Sequence, residues 1–170
     1  MGRESRVLSR GTSDSLKSHG PETRAQNQSN LDHVCMIGVV VVTHGHLATE
    51  LLNAAETIVG DLPRFTALSI GWHEDVRDAR EEIAQAIERV RGDSGVLLLT
   101  DMFGGTPTNL GLTFLEHGRV EVISGVNLPM LIKVASMTDR VDLLEVAREL
   151  REHGRNAIWV ASDLLRGEKT

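Results

Sequence analysis

The chain has one cysteine, Cys35, so no internal disulfide is possible and a reducing cytoplasm is the expected compartment. Tyrosine is absent and aromatics amount to 3%, which leaves aliphatic side chains to fill the core. No apolar run approaches the ~20 residues of a membrane-spanning helix, and the first residues lack the continuous apolar stretch of a secretion signal. Basic excess is missing too. A net charge of -6, a pI near 5.6 and the lack of a lysine/arginine stripe exclude the electrostatic footprint of a nucleic-acid binder. What is present is 41% hydrophobic residues in 170, enough for the core of one soluble domain.

The composition changes near residue 35. Residues 1–35 are rich in Ser, Gly, Arg, Asn and Gln, with isolated apolar positions and nearly cancelling charges, and are expected to be a disordered extension. Met36 stands directly before the first apolar run and offers an alternative start of translation. From there strand and helix patterns alternate. Met36 to Thr43 is a valine-rich run of the kind buried on both faces of a sheet. Leu47, Leu51, Leu52, Ala55, Ile58 and Val59 recur at helical spacing, with Gly60 as the C-terminal cap. Residues 65–70 predict a second strand, 74–91 a second helix, and 95–100 a third strand. Thr106 and Pro107 predict a helix start, with Thr106 as the cap and the helix reaching about His117. Residues 120–124 predict a fourth strand, Pro129 opens a short helix to about Ser136, and Asp142 caps another that stops before Gly154. Residues 157–161 predict a last strand, and 166–170 a tail. Alternating elements imply βαβ units, hence a three-layer α/β/α fold with a mainly parallel sheet of order about 2-1-3-4.

In such a sheet ligands gather outside the carboxyl ends of the strands, where the strand order reverses. That crevice lies between the ends of the first and third strands, which carry "THGH", Thr43 to His46, and Asp101. A carboxylate accepting the Nδ1 proton of His44 fixes the tautomer and leaves Nε2 as a nucleophile. Asp101 opens "DMFGGTPTN", in which Gly104 and Gly105 permit close backbone approach and Thr106 begins a helix that favours an anion. Taken singly, each feature is first a turn residue, a cap or a loop; their joint placement at neighbouring strand ends shifts the balance toward a site, in which a phosphoryl group on His44 is one anion that would fit. No metal is expected, since His44, His46 and Asp101 lack further ligands of the usual kind. "GVNLPM", Gly125 to Met130, puts Asn127 near the same rim, while His19, His33, His73, His117 and His153 have no partner pattern and are expected at the surface.

Together "MIGVVVVTHG", "LLLTDMFGGTPTN" and "SGVNLPML" resemble, in order and separation, the enzyme IIA domain of the mannose (mannose/fructose/sorbose) family of the phosphoenolpyruvate-dependent sugar phosphotransferase system, over residues 36 to about 162. The resemblance implies a phosphotransferase without cofactor. His44 accepts a phosphoryl group from the phosphohistidine of HPr and passes it to a IIB component, with Asp101 orienting the imidazole and Gly104, Gly105 and Thr106 at the phosphoryl site. It also implies a homodimer in which the 157–161 strand is exchanged. Phe103 stands where relatives often carry tryptophan and Thr106 where many carry serine. No IIB sequence follows, so a separate IIB protein is the expected acceptor, with the membrane IIC and IID components served indirectly. Met102 and Phe103 are candidates for docking both partners or for buried packing. Alternatives are a carrier for a dihydroxyacetone kinase, toward which the "DMFGGTPTN" motif leans less, and a regulatory module that senses phosphorylation without passing it on. A histidine phosphatase is disfavoured because Thr43, not arginine, precedes His44.

Overall fold

The structure, a computed structural model, describes residues 37–71, 75–137 and 142–166. The expected extension at 1–35, most of the expected 166–170 tail, and His19, His33 and His73 fall outside the described residues.

Four parallel strands form the sheet: β1 (Gly38–His44), β2 (Phe65–Ile70), β3 (Val96–Thr100) and β4 (Val120–Ser124), in the order β2-β1-β3-β4. The helices are α1 (Leu47–Val59), α2 (Val76–Val90), α3 (Thr106–Leu112), α4 (Leu128–Ala135), α5 (Leu143–Asn156) and α6 (Ala161–Arg166). The expected α/β/α layering and strand order are what the structure has. Among the described residues no helix is long and apolar enough to cross a membrane.

The valine run explains the layers. Successive side chains of a strand point to opposite faces, and Val39 and Val41 join Leu97 and Leu99 in a core built with α1, α4 and α5. Val40 and Val42 join Val96 and Leu98 in the other, under α2 and α3. All eight are fully buried. At ~1.5–3 kcal/mol for each buried valine, the four of β1 contribute as much as the net stability of about 5–15 kcal/mol of an ordinary domain. The end of β1 therefore cannot shift without threatening the fold.

Four boundaries differ from the sequence reading. The cap of α3 is Gly105 rather than Thr106, whose side chain makes no capping hydrogen bond, so Thr106 and Pro107 fill the first two helical positions. That helix stops at Leu112, well short of His117, as the Thr113 hydroxyl takes the carbonyl of Leu110 and the chain turns back toward β4. α5 runs through Gly154 instead of ending before it: a Cβ there would lie 2.7 Å from Met130 Sδ, so this glycine lets α4 and α5 approach rather than capping a helix. Residues 157–161 form no strand within the chain. Ile158, Trp159 and Val160 have β-type side chains but no neighbouring ladder to join, and are 77%, 60% and 60% exposed.

Candidate functional site

β1 and β3 are neighbours, with Val42 opposite Thr100, so their carboxyl ends deliver His44 and Asp101 to one place. Gly45 follows with φ 55°, the left-handed turn that carries the chain from β1 into α1 and for which glycine is suited. The turn is fixed from beneath by buried Thr43, whose hydroxyl accepts the N–H of Ala48 at 2.8 Å.

Asp101 is saturated with donors. One carboxylate oxygen, Oδ2, accepts the backbone N–H of His44 at 2.9 Å and meets the ring Nδ1 of His44 at 2.8 Å; the other, Oδ1, accepts the N–H of Met102 at 2.9 Å. Burial pushes this carboxyl up, but the His44 backbone and ring N–H bonds, the Met102 N–H and the nearby imidazole together hold it below the ordinary 3.8. An ionised carboxylate can only accept, so Nδ1 carries the proton and Nε2 keeps its lone pair. The His44 side chain is 38% exposed against 13% for Asp101. A part-buried anion thus orients a more exposed ring whose other nitrogen keeps its lone pair.

The structure brings the sequence-predicted residues together unevenly. Gly105 lies against the His44 ring, while Gly104, with φ 85°, and Thr106 lie exposed along the same loop. Met102 and Phe103 are 56% and 78% exposed, which removes the packing alternative for both. Leu47, the first residue of α1, is 46% exposed. His46 is exposed at the cap position of α1, with no side-chain capping bond, and His117 and His153 are at the surface as expected. Asn127 holds the scaffold together, since its amide oxygen accepts Met130 N–H and its amide nitrogen donates to the Gly154 carbonyl, tying α4 to α5.

Sequence reasoning missed Thr108. This hydroxyl, 1% exposed, donates to the Met102 carbonyl at 2.7 Å and lies 2.6 Å from the fully buried Thr100 hydroxyl, which must then donate to it. It fastens the 101–105 loop to the end of β3 from below. Thr108→Val keeps the shape but strands the Met102 carbonyl and the Thr100 donor, and is expected to cost about 1–3 kcal/mol in urea unfolding, with Thr108→Ser losing much less. A loss under ~0.5 kcal/mol, the range of inert surface changes, would remove Thr108 from this role.

Comparison with known proteins agrees with the geometry. The sequence model of the family described as "PTS system fructose IIA component" matches residues 38–150, which includes every site residue named above except Gly154 and His153. The fructose-specific EIIA component of the PTS of Bacillus subtilis (strain 168) is 30% identical over 79% of this chain and 93% of its own length. The sorbose-specific EIIA component of Lacticaseibacillus casei is 30% identical over 66% of this chain and 81% of its own. Among solved structures, the PTS IIA protein associated with the fucose utilization operon of Streptococcus pneumoniae superposes with a TM-score of 0.68 at 26% identity, over 78% of this chain and 98% of that one. A β1–β3 crevice holding a carboxylate-oriented histidine, and a match across the whole sheet, have one joint conclusion: the chain belongs to the enzyme IIA family of the mannose, fructose and sorbose type of the sugar phosphotransferase system.

Proposed function

We propose that the chain is a phosphocarrier in which Nε2 of His44 accepts a phosphoryl group from the phosphohistidine of HPr and hands it to a separate IIB protein for coupled sugar uptake and phosphorylation. The observation that carries this reading is the Nδ1–Asp101 contact of 2.8 Å, which commits the ring of a 38% exposed side chain to one tautomer. In the transfer the Nε2 lone pair forms the new N–P bond. The bond to the donor's ring nitrogen breaks, its electron pair returns to that nitrogen, and the Nδ1 proton stays where it is. The phosphorylated imidazole carries positive charge, which faces the Asp101 carboxylate. Phosphoryl transfer of this kind needs positioning and charge stabilisation more than covalent help, and backbone N–H groups of Gly104 to Thr106 with the Thr106 hydroxyl are the donors available on the loop. The test is incubation with phosphoenolpyruvate, enzyme I and HPr, reading one acid-labile phosphoryl group by intact mass and its discharge on adding IIB; absence of label from active HPr would overturn the reading.

Two features support finer statements. Met102 and Phe103, exposed beside the nucleophile, are the docking surface for HPr and IIB. Phe103→Ala is expected to raise the KM for phospho-HPr about tenfold with kcat held; an unchanged KM would count against docking there. β4 is an open edge of the sheet, flanked by a groove lined by Ser124, Arg151, Arg155 and Ile158, and the exposed Ile158–Trp159–Val160 segment lies at the end of α5. This supports a homodimer in which residues 157–161 add a strand to the sheet of a second copy. Sedimentation of the full chain as a monomer at micromolar concentration would exclude it.

A further inference from the structure

The two adjacent glycines of the site loop are there for different reasons. Gly104 has φ 85°, a left-handed conformation, and a Cβ built on it meets nothing within 4 Å. Its glycine serves the backbone. Gly105 has φ -79° and ψ 167°, an extended conformation open to any L-residue, so its backbone does not require glycine. Space does: a Cβ at Gly105 would stand 2.7 Å from Cε1 and 3.3 Å from Nε2 of His44, and 3.5 Å from Met102 Cγ. Carbon atoms rest about 3.5–4.0 Å apart, so the first of these contacts is not sustainable.

We propose that Gly105 is a positioning residue: its bare α-carbon is the seat on which the Cε1–Nε2 edge of the imidazole rests, and with Asp101 at Nδ1 it fixes the plane from which Nε2 meets the phosphoryl group. This rests on the carrier reading above and adds to it a role for Gly105 that acts through the ring, besides any contact with the phosphoryl group. The ring is held at two points. Asp101 holds Nδ1 at 2.8 Å, and that carboxylate cannot follow a displaced ring because it also accepts the backbone N–H groups of His44 and Met102. The loop cannot easily retreat either, since the Gly105 carbonyl accepts Asn109 N–H at 3.0 Å in the first turn of α3 and Thr108 holds Met102. A methyl group at position 105 therefore forces the imidazole out of its alignment with the carboxylate, and the tautomer loses its lock.

The experiment compares the full chain with Gly105→Ala and Gly104→Ala. Long-range ¹H–¹⁵N correlation of the His44 ring, at a pH where the ring is neutral, reports the tautomer; stopped-flow transfer from saturating phospho-HPr reports the rate. In Gly105→Ala the two ring nitrogens are expected to move toward averaged tautomers and the rate to fall on the order of 10²-fold, the scale for misplacing a reacting atom by about 1 Å, with the KM for HPr retained. In Gly104→Ala the Cβ enters open space and the strain falls on the loop backbone instead of the ring, so the Nδ1-protonated spectrum is expected to be retained. A Gly105→Ala protein that keeps either the Nδ1-protonated spectrum or the unsubstituted rate overturns the proposal. If the unsubstituted chain takes no phosphate at all, the carrier reading is what fails, and the ring spectrum alone then decides whether Gly105 is the seat.

Discussion

His44→Ala is expected to abolish the acid-labile phosphate completely while leaving the protein folded. Loss is total because the nucleophile is one atom, and nothing else in the site supplies an equivalent. His46 lies two residues on but is exposed at the cap of α1, and among the described residues His44 is the histidine whose ring meets a carboxylate within ion-pair distance. The fold survives for a reason visible in the donors of Asp101. Two of its three hydrogen bonds come from backbone N–H groups, of residue 44 itself and of Met102, and alanine at position 44 keeps both. The buried β1 valines, which hold the strand, are untouched. Intact mass after incubation with phosphoenolpyruvate, enzyme I and HPr measures the label, and thermal unfolding by circular dichroism checks the fold. A phosphate persisting on His44→Ala at the same stoichiometry would place the carrier atom elsewhere.

The pairing of His44 with Asp101 was legible in the sequence for a topological reason. Runs such as "VVVV" and "VLLL" are buried on both faces of a parallel sheet, alternation with helices fixes the layering, and the switch of strand order then brings particular strand ends together. Gly60 and Asp142 marked helix ends correctly because capping is decided by a residue's own backbone and side chain. Gly154 was misread because its role is decided by neighbours, and residues 157–161 form no strand within the chain for the same kind of reason. Gly154 sits in the last turn of α5 and admits Met130, and a segment rich in β-formers becomes a strand only beside another edge. Thr108 and Gly105 belong to the same class. A threonine inside a helix and the second of two glycines in a loop carry no local signal of the Met102 carbonyl below one or the imidazole against the other. Of the site, the His44–Asp101 pairing was readable, and the contacts of Thr108 and Gly105 that support it were not.

Asp101→Asn is expected to slow transfer by roughly 10²-fold or more, within the scale of losing the carboxylate that fixes an imidazole's tautomer, although only one atom changes. The carboxylate accepts on both oxygens: two His44 N–H groups at Oδ2 and the Met102 N–H at Oδ1. An asparagine has one acceptor oxygen and one donor nitrogen. If its oxygen turns toward His44, its NH₂ group opposes the Met102 N–H, donor against donor. If the oxygen turns toward Met102, the NH₂ group faces His44 Nδ1 and favours the tautomer that protonates Nε2, which removes the nucleophile. Either arrangement also loses the negative charge that faces the phosphorylated ring. The same substitution has a pH signature. Because the folded state holds the Asp101 carboxyl below its ordinary 3.8, the ionised form stabilises the fold above that pH, and this stabilisation is lost as pH falls from there through the lowered folded-state value. Asp101→Asn is therefore expected to lose stability at neutral pH and to show a shallower fall of stability between pH 3.8 and more acidic values than the unsubstituted chain. Urea unfolding across that range, alongside single-turnover transfer, separates the two effects: an unchanged transfer rate removes Asp101 from the mechanism, and an unchanged acid profile removes its carboxylate from the stability of the loop.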